Sequence, residues 1–225
     1  MMQSNILTLI LTIFLSTLLQ SQVLTVDPAF PTIEDVVTIT YDASQGNAAL
    51  MGVSPIYSHM GLITSTSTSG TDWQFVQGNW GTADANVLMT SLGNNLHQIQ
   101  IDIDVFYGFP MGTEVLQMAF VFRNAAGNIV GRAADGSDIF YDVYPVDAGL
   151  QVDFLTPSSD VIADENDILH IEAGSNTAAQ LSLYDNGLLI ASASAATFLS
   201  HDITVALPAS HQLIVVADDG VTQNS

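Results

Sequence analysis

Two tryptophans and the polar residues around them are the side chains best suited to binding chemistry. Trp73 and Trp80 flank the segment QFVQGN at residues 74–79. An exposed indole stacks on the flat C–H face of a sugar ring, while amide and carboxylate groups bond the hydroxyls of that sugar. Trp80 lies between Asn79 and a glycine and is predicted to be the better platform. Trp73, two residues before Phe75, suits an inward strand face and is the expected core tryptophan.

Motifs that would support catalysis are missing from the sequence. A glycoside hydrolase needs two carboxylates that face each other across a cleft. Pairs such as Asp102 with Asp104, or Asp218 with Asp219, are instead typical of solvated strand faces and turns. No nucleophile elbow, zinc-protease helix motif or phosphate-binding loop occurs. Cysteine is absent, which excludes thiol nucleophiles and thiolate zinc sites. We therefore expect no catalytic domain in this chain.

The histidines and acidic residues do not follow a metal-binding spacing. The five histidines are spaced as strand residues are, and they are His59, His97, His170, His201 and His211. Oxygen ligands for calcium are plentiful at residues 135–138 and 164–167. Neither segment alternates its acidic residues ahead of a distant glutamate, as a calcium loop does. Both segments are typical of turns, so no cofactor is predicted, and calcium is an alternative without a motif.

The charge balance limits the partners of the protein. Arg123 and Arg132 are the only basic residues against 23 acidic ones, and the formal net charge is −21. Such a surface repels phosphate backbones and anionic lipid headgroups, which argues against nucleic acid and membrane-surface partners. A neutral polysaccharide is still allowed. The acidity suits saline surroundings, and a general acidity of the secreted proteins of one lineage is the alternative interpretation.

Residues 1–21 are predicted to be a signal peptide. The apolar stretch at residues 6–19 is too short to span a bilayer, and Ser21 supplies a small residue for cleavage. The absence of Lys and Arg before this stretch departs from the usual pattern. A buried hydrophobic helix is the alternative, but no helix cap precedes it. We therefore expect a secreted or cell-surface protein.

Residues 22–147 are predicted to form an immunoglobulin-like β-sandwich. Runs of β-branched and aromatic residues alternate with turn signals, and helical periodicity does not persist for three turns. The segments at residues 24–28, 29–33 and 36–41 are predicted to form two short strands around a proline-bearing turn, and further strands are predicted at residues 56–63, 72–77, 87–89, 97–103, 115–123 and 138–143. The clearest alternation places Ile99, Ile101 and Ile103 on one face. A hairpin is expected at residues 120–132, with its tip at 124–128.

Residues 148–225 are predicted to form a second, shorter immunoglobulin-like β-sandwich. A strand-and-turn pattern opens at residues 149–157, and the later strands are predicted at residues 168–172, 179–184, 188–192, 196–199, 203–207 and 211–217. The segment DNG at residues 185–187 predicts a tight hairpin, because Asn-Gly tolerates positive φ. The sequence ends abruptly after this region, so we expect a fragment of a longer protein. The expected fold class is all-β, with two tandem sandwiches.

Several ordered motifs between residues 27 and 144 carry a family resemblance. These motifs are PAFPT at 28–32, VTITYDA at 37–43, GVSPIYSH at 52–59, NWGTAD at 79–84, MTSLGNN at 89–95, VFRNAAGN at 121–128 and DGSDIFYDVY at 135–144. The region resembles the N-terminal, non-catalytic part of secreted α-amylase-family glycoside hydrolases of the Bacteroidetes type. The resemblance covers a little over half of the chain.

The resemblance implies a starch-binding-like sandwich, an immunoglobulin-like linker module and then a catalytic barrel in the parent protein. Family modules usually carry several lysines, so lysines that bond glucan hydroxyls have no counterpart here. The candidate ligand-binding residues are Trp80, Asn79, Trp73, Arg123 and Asp135. The expected function is non-catalytic binding of α-glucan such as starch. The alternatives are an immunoglobulin-like structural or adhesive surface protein, in which the acidic loops would matter more, and a small intact hydrolase.

Overall fold

The computed structural model describes residues 22–157, 160–206 and 210–225. The predicted signal peptide lies outside these residues. The described chain is all-β apart from α1 (Ile103–Tyr107) and a 3-10 helix at Ala85–Val87. Neither of these helices has the length and apolar character needed to cross a membrane. The all-β prediction is confirmed.

The first sheet is antiparallel and has the strand order β1-β2-β6-β5. Its strands are β1 (Leu24–Asp27), β2 (Val36–Asp42), β5 (Thr90–Gly93) and β6 (Leu96–Asp102). In β2, Val37, Ile39 and Tyr41 are buried while the residues between them are only partly covered. This alternation with period two places one face of the sheet on the core.

The second sheet is antiparallel and is built around β3 and β7. Its strands are β3 (Tyr57–Thr64), β4 (Gln74–Gln77), β7 (Val115–Arg123), β8 (Val130–Gly131) and β9 (Ile139–Asp142). β4 pairs with β3, and both β8 and β9 pair with β7. The register sets His59 opposite Val121 and Met60 opposite Phe120.

The two sheets enclose a common apolar core. Ile39 and Tyr41 from the first sheet belong to the same buried cluster as Met60, Phe120 and Phe122 from the second. The Tyr41 ring stacks on Phe122 with the ring centroids 3.9 Å apart. Each large apolar side chain buried in this way contributes about 1.5–3 kcal/mol to folding. This packing holds the two sheets against each other and leaves the opposite face of each sheet free for other contacts.

Most predicted strands of this region are confirmed, and one is wrong. The strand predicted at residues 115–123 is β7, and that at 97–103 is β6 with a one-residue shift. Residues 87–89 were expected to be a strand, but a 3-10 helix ends at Val87. The Asp84 side chain accepts a hydrogen bond from the Asn86 amide and so caps that helix. The hairpin expected at residues 120–132 is formed by β7 and β8, whereas the short elements α1 and β5 were not predicted.

The chain beyond residue 150 forms a five-stranded antiparallel sheet. Its strands are β10 (Val152–Thr156), β11 (Ile168–Asp185), β12 (Leu188–Thr204), β13 (Leu213–Asp218) and β14 (Gln223–Asn224). The order is β10-β11-β13-β14, with β12 also paired to β11. β11 and β12 are joined at Asn186 (φ 50°) and Gly187 (φ 81°). The predicted Asn-Gly hairpin is therefore confirmed.

The strand count predicted for this second region is wrong. The strands predicted at residues 168–172 and 179–184 are two parts of β11, and those at 188–192 and 196–199 are two parts of β12. The Gly, Ser, Asn and Thr residues between them are typical of turns. Here the chain passes through them with β-bulges, seen as a register shift between Gly174 and Ala179.

Candidate functional site

The outer face of the second sheet, which points away from the core, is also apolar. Side chains alternate along β3 and β7, so residues one position away from the core-facing Met60, Leu62 and Phe120 point outward. Among them, Ile63, Ala119 and Val121 are buried although none belongs to the core cluster. Their burial shows that this face of the sheet is also covered by other parts of the chain.

Trp73 forms part of this cover. A Cβ atom added to Gly61 would lie 2.9 Å from the Trp73 Cβ, so the missing side chain of Gly61 lets Trp73 lie directly on β3. The Trp73 Nε1 donates a hydrogen bond to the Gly70 carbonyl at 2.9 Å. Trp73 is half-buried and does not belong to the core cluster. The prediction that it is the core tryptophan is wrong, because it packs on the outer face of the sheet.

Trp80 lies beside His59, which is also a neighbour of Trp73. Its side chain has a large exposed surface. The His59 ring meets Trp80 edge-on, with centroids 5.1 Å apart and an interplanar angle of 83°. Gly127 supports the indole, since a Cβ atom there would lie 2.7 Å from the Trp80 Nε1. Trp80 is nevertheless 47% exposed. We call His59, Trp73 and Trp80 the aromatic cluster.

Arg123 holds the loop that carries Trp80. Its guanidinium donates to the carbonyl oxygens of Asn79 at 2.6 Å and Thr82 at 2.9 Å, one on each side of Trp80. Two more bonds go to the carbonyls of Asn124 and Ala125 in the neighbouring hairpin. The Arg123 side chain is buried. Its predicted contact with a ligand is therefore corrected to a positioning role, because a buried cation bonded to carbonyls does not face solvent.

Asn79 has a similar positioning role. Its backbone N–H and side-chain amide both donate to Asp84 Oδ2, at 3.0 and 3.1 Å. These bonds and those from Asn86 hold the pKa of Asp84 below its usual range, with the Asn79 backbone N–H as the largest cause. The Asn79 side chain is exposed but already bonded. Together, Asp84 and Arg123 hold the backbone of the loop that carries Trp80.

Asp135 is not joined to the aromatic cluster by any contact within the described residues. Its carboxylate accepts the Ser137 backbone N–H at 2.9 Å, and hydrogen bonds from Ser137 lower its pKa. These bonds give Asp135 a turn-stabilising role. The carboxylate whose charge acts on the cluster is Asp138, which pairs with Arg132; burial lowers the pKa of His59, and the charge of Asp138 partly opposes that shift. The prediction grouped Asp135 with Trp80, and the structure does not bring them together.

His59 is the member of the cluster that the sequence prediction missed. Its ring lies 6.0 Å from the Trp73 ring, at an angle of 30°, as well as beside Trp80. Its Nδ1 atom is 2.7 Å from the Gly78 carbonyl oxygen. The histidines were interpreted as ordinary strand residues. The alternation of β3 could have identified His59, because it places this residue on the outer face next to Gly61.

A cleft of about 500 Å³ lies between the two β regions but is less suited to a ligand. Phe30, Asp35 and Tyr144 line it from one side, and Asn176 lines it from the other. The polar side chains there are largely bonded within the protein. Asp35 accepts two hydrogen bonds from Thr32, and Asn176 bonds the backbone of residues 149 and 151. The aromatic cluster, by contrast, includes the Trp80 side chain, which is 47% exposed.

The chemistry available at the aromatic cluster is binding rather than coordination. Its rings offer apolar faces, and no carboxylate belongs to it. In the described part of the chain, no group of three or more His, Asp or Glu residues lies close enough to hold a metal ion. The arrangement is therefore suited to a flat, neutral ligand that can stack on indole and form hydrogen bonds.

Comparison with known proteins gives a match for the first β region. Residues 24–130 match the model of a domain of unknown function, DUF8578. The matched segment includes the aromatic cluster, Arg123 and Gly127. A search of curated proteins gives no significant match to the chain.

Proposed function

We propose that residues 22–147 form a non-catalytic module that binds α-glucan such as starch. The observation that carries this proposal is the exposed indole of Trp80, placed beside His59 and Trp73 on a sheet face outside the core. Arg123, Asp84 and Gly127 hold the indole in place before any ligand arrives. A preorganised ring loses little conformational freedom on binding, which favours affinity.

The charge of the protein supports a neutral ligand. The chain has a formal net charge of −21, so an anionic polymer is repelled at long range. The nearest basic group, the guanidinium of Arg123, is buried and bonded to carbonyls. A neutral polysaccharide avoids this repulsion and offers both C–H faces for the indoles and hydroxyls for polar atoms.

The proposal extends to the organisation of the parent protein. Both β regions are immunoglobulin-like sandwiches in this account, and residues 148–225 act as a spacer. The resemblance to the N-terminal region of secreted α-amylase-family proteins supports a catalytic domain after the spacer in a longer parent chain. Export through residues 1–21 places the module outside the cell, where starch is encountered. The chain itself is proposed to lack catalytic activity.

Retention on insoluble starch tests the proposal through Trp80→Ala. The loss of the exposed indole should weaken binding by about tenfold or more, since an aromatic contact and its buried area are worth more than about 1.4 kcal/mol. Phe198→Ala is the matched control, because Phe198 on β12 is also 47% exposed but lies in the other β region. Binding is measured by depletion of the protein from solution.

Three outcomes of this experiment would contradict the proposal. The wild-type protein would fail to deplete, Trp80→Ala would bind as tightly as wild type, or Phe198→Ala would lose binding equally. A reducing-sugar assay on soluble starch accompanies the measurement. Sugar release by the purified chain would contradict the proposal that it is non-catalytic.

A further inference from the structure

The proton position on the neutral His59 ring follows from one hydrogen bond. Nδ1 lies 2.7 Å from the carbonyl oxygen of Gly78, which can only accept a hydrogen bond. Nδ1 therefore carries the proton and donates it. In the neutral ring the other nitrogen, Nε2, is then an acceptor with a free lone pair.

The surroundings of His59 favour this neutral form. Burial is the largest effect and lowers the pKa of the ring, and the positive charge of Arg123 on β7 lowers it further. The Gly78 carbonyl and the carboxylate of Asp138 act in the opposite direction, but the net shift of the pKa is downward. The carboxylate of Asp84, in the loop that follows β4, accepts hydrogen bonds from Asn79. At neutral pH the ring is therefore uncharged, and Nε2 is available as an acceptor.

Nε2 is open to a ligand. Among the described residues, the one hydrogen bond of the His59 side chain is that of Nδ1 to Gly78. His59 is partly exposed, and its Nε2 atom is not among the fully buried polar atoms that lack a partner. The ring is a neighbour of both indoles, with its centroid 6.0 Å from that of Trp73 and 5.1 Å from that of Trp80. A sugar ring that stacks on either indole would displace water from Nε2. The sugar must then make its own hydrogen bond to Nε2, because a lost and unreplaced hydrogen bond lowers the affinity.

We propose that the Nε2 atom of His59 accepts a hydrogen bond from a sugar hydroxyl and forms a polar subsite beside Trp73 and Trp80. This inference rests on the proposed function, since it concerns the same ligand. The two indoles bind the apolar face of the sugar with little regard to its orientation. The single acceptor beside them fixes which hydroxyl-bearing edge faces the protein, and it selects for a ligand with a donor at that position.

Two substitutions separate the two nitrogens of His59. The amide nitrogen of Asn occupies about the position of Nδ1, so His59→Asn can keep the bond to Gly78 while the acceptor is lost. The amide of Gln reaches about as far as Nε2, so His59→Gln can restore an acceptor while the Gly78 bond is lost. We expect His59→Asn to bind maltoheptaose about three- to tenfold more weakly, which is the range of one net hydrogen bond. His59→Gln should bind more tightly than His59→Asn.

The pH dependence of binding and the nitrogen NMR spectrum provide the second readout. The ligand bonds only the neutral ring in this account, so binding lowers the pKa of His59 further, and affinity for maltoheptaose falls as the pH drops through that pKa. The His59→Asn variant should lose this dependence. In wild-type protein the ¹⁵N resonance of Nε2 should move on ligand addition, while the protonated Nδ1 resonance should change little.

The outcomes distinguish this inference from the proposed function. If wild type binds maltoheptaose and Trp80→Ala does not, but His59→Asn binds as tightly as wild type with an unchanged pH profile, the subsite is wrong and the module stands. If wild type fails to bind maltoheptaose, both fail. A ¹⁵N spectrum in which Nε2 carries the proton would also overturn the subsite, because the acceptor would not exist.

Discussion

Arg123 and Arg132, the only basic residues of the chain, have different roles. Arg123 is buried and bonds four carbonyl oxygens around Trp80, whereas Arg132 pairs with Asp138 in a partly exposed position. A buried guanidinium that bonds carbonyls is expensive to remove, because the carbonyls are left without partners. An exposed ion pair contributes little, since water and salt screen it.

Substitution of the two arginines tests this difference. Arg123→Met should lower the free energy of unfolding by about 2–4 kcal/mol, because four carbonyl oxygens lose the buried charged group that donates to them. Arg132→Met should cost less than about 1 kcal/mol. Urea denaturation measures both values. Equal losses in the two variants would show that Arg123 does not anchor the Trp80 loop.

Sequence patterns could predict the exposure of Trp80 but not the anchoring of its loop. The glycine after Trp80 indicated a loop, and the loop is present. The bonds of Arg123 join residues 41 and 44 positions apart, and such contacts leave no local pattern. Arg123 was therefore predicted as a ligand contact, and Trp73 as a core residue. The strand register that places Trp73 on Gly61 could not be predicted from the sequence either.

The hairpin of β7 and β8 packs against the indole of Trp80. Asn124 bonds Asn128 and Ile129 across the loop, and Gly127 has a φ of 68° against the Trp80 ring. This close approach requires glycine, both for the positive φ and for the space. Gly136, in the next turn, has a φ of 84° but no atom within 4 Å of an added Cβ.

Gly127→Ala and Gly136→Ala form a matched pair. Both should lose about 1–2 kcal/mol of stability, because alanine at positive φ is strained. Gly127→Ala alone should displace Trp80, shift the tryptophan emission and weaken starch binding. Thermal unfolding and fluorescence measure the two effects. An unchanged emission in Gly127→Ala would contradict the described packing.

Elements with strict alternation were easier to predict than long irregular strands. Residues 97–103 alternate apolar and polar side chains, and all but the last of them belong to β6, where Ile101 is buried. β11 and β12 are rich in Ala, Ser and Thr and contain bulges, so their sequence shows breaks where the chain continues. Hydrogen bonding with the neighbouring strand overrides the local turn preference there.

The net charge of −21 is a property of the whole molecule and opposes its compact state. Added salt shortens the range of this repulsion from about 10 Å at 0.1 M to about 3 Å at 1 M. We therefore expect the midpoint of thermal unfolding to rise with NaCl. Binding of a neutral glucan should change little over the same range. A steep loss of starch binding with salt would show that binding depends on charged groups and would contradict the account.

Intrinsic fluorescence tests the central claim most directly, because the only two tryptophans of the chain, Trp73 and Trp80, both lie in the aromatic cluster. A titration of wild-type protein with maltoheptaose should shift the emission in a saturable manner and protect the rings from quenching by acrylamide. Trp80→Ala should lose most of this response. An emission and a quenching constant that stay unchanged up to millimolar maltoheptaose would contradict the claim that these rings bind α-glucan.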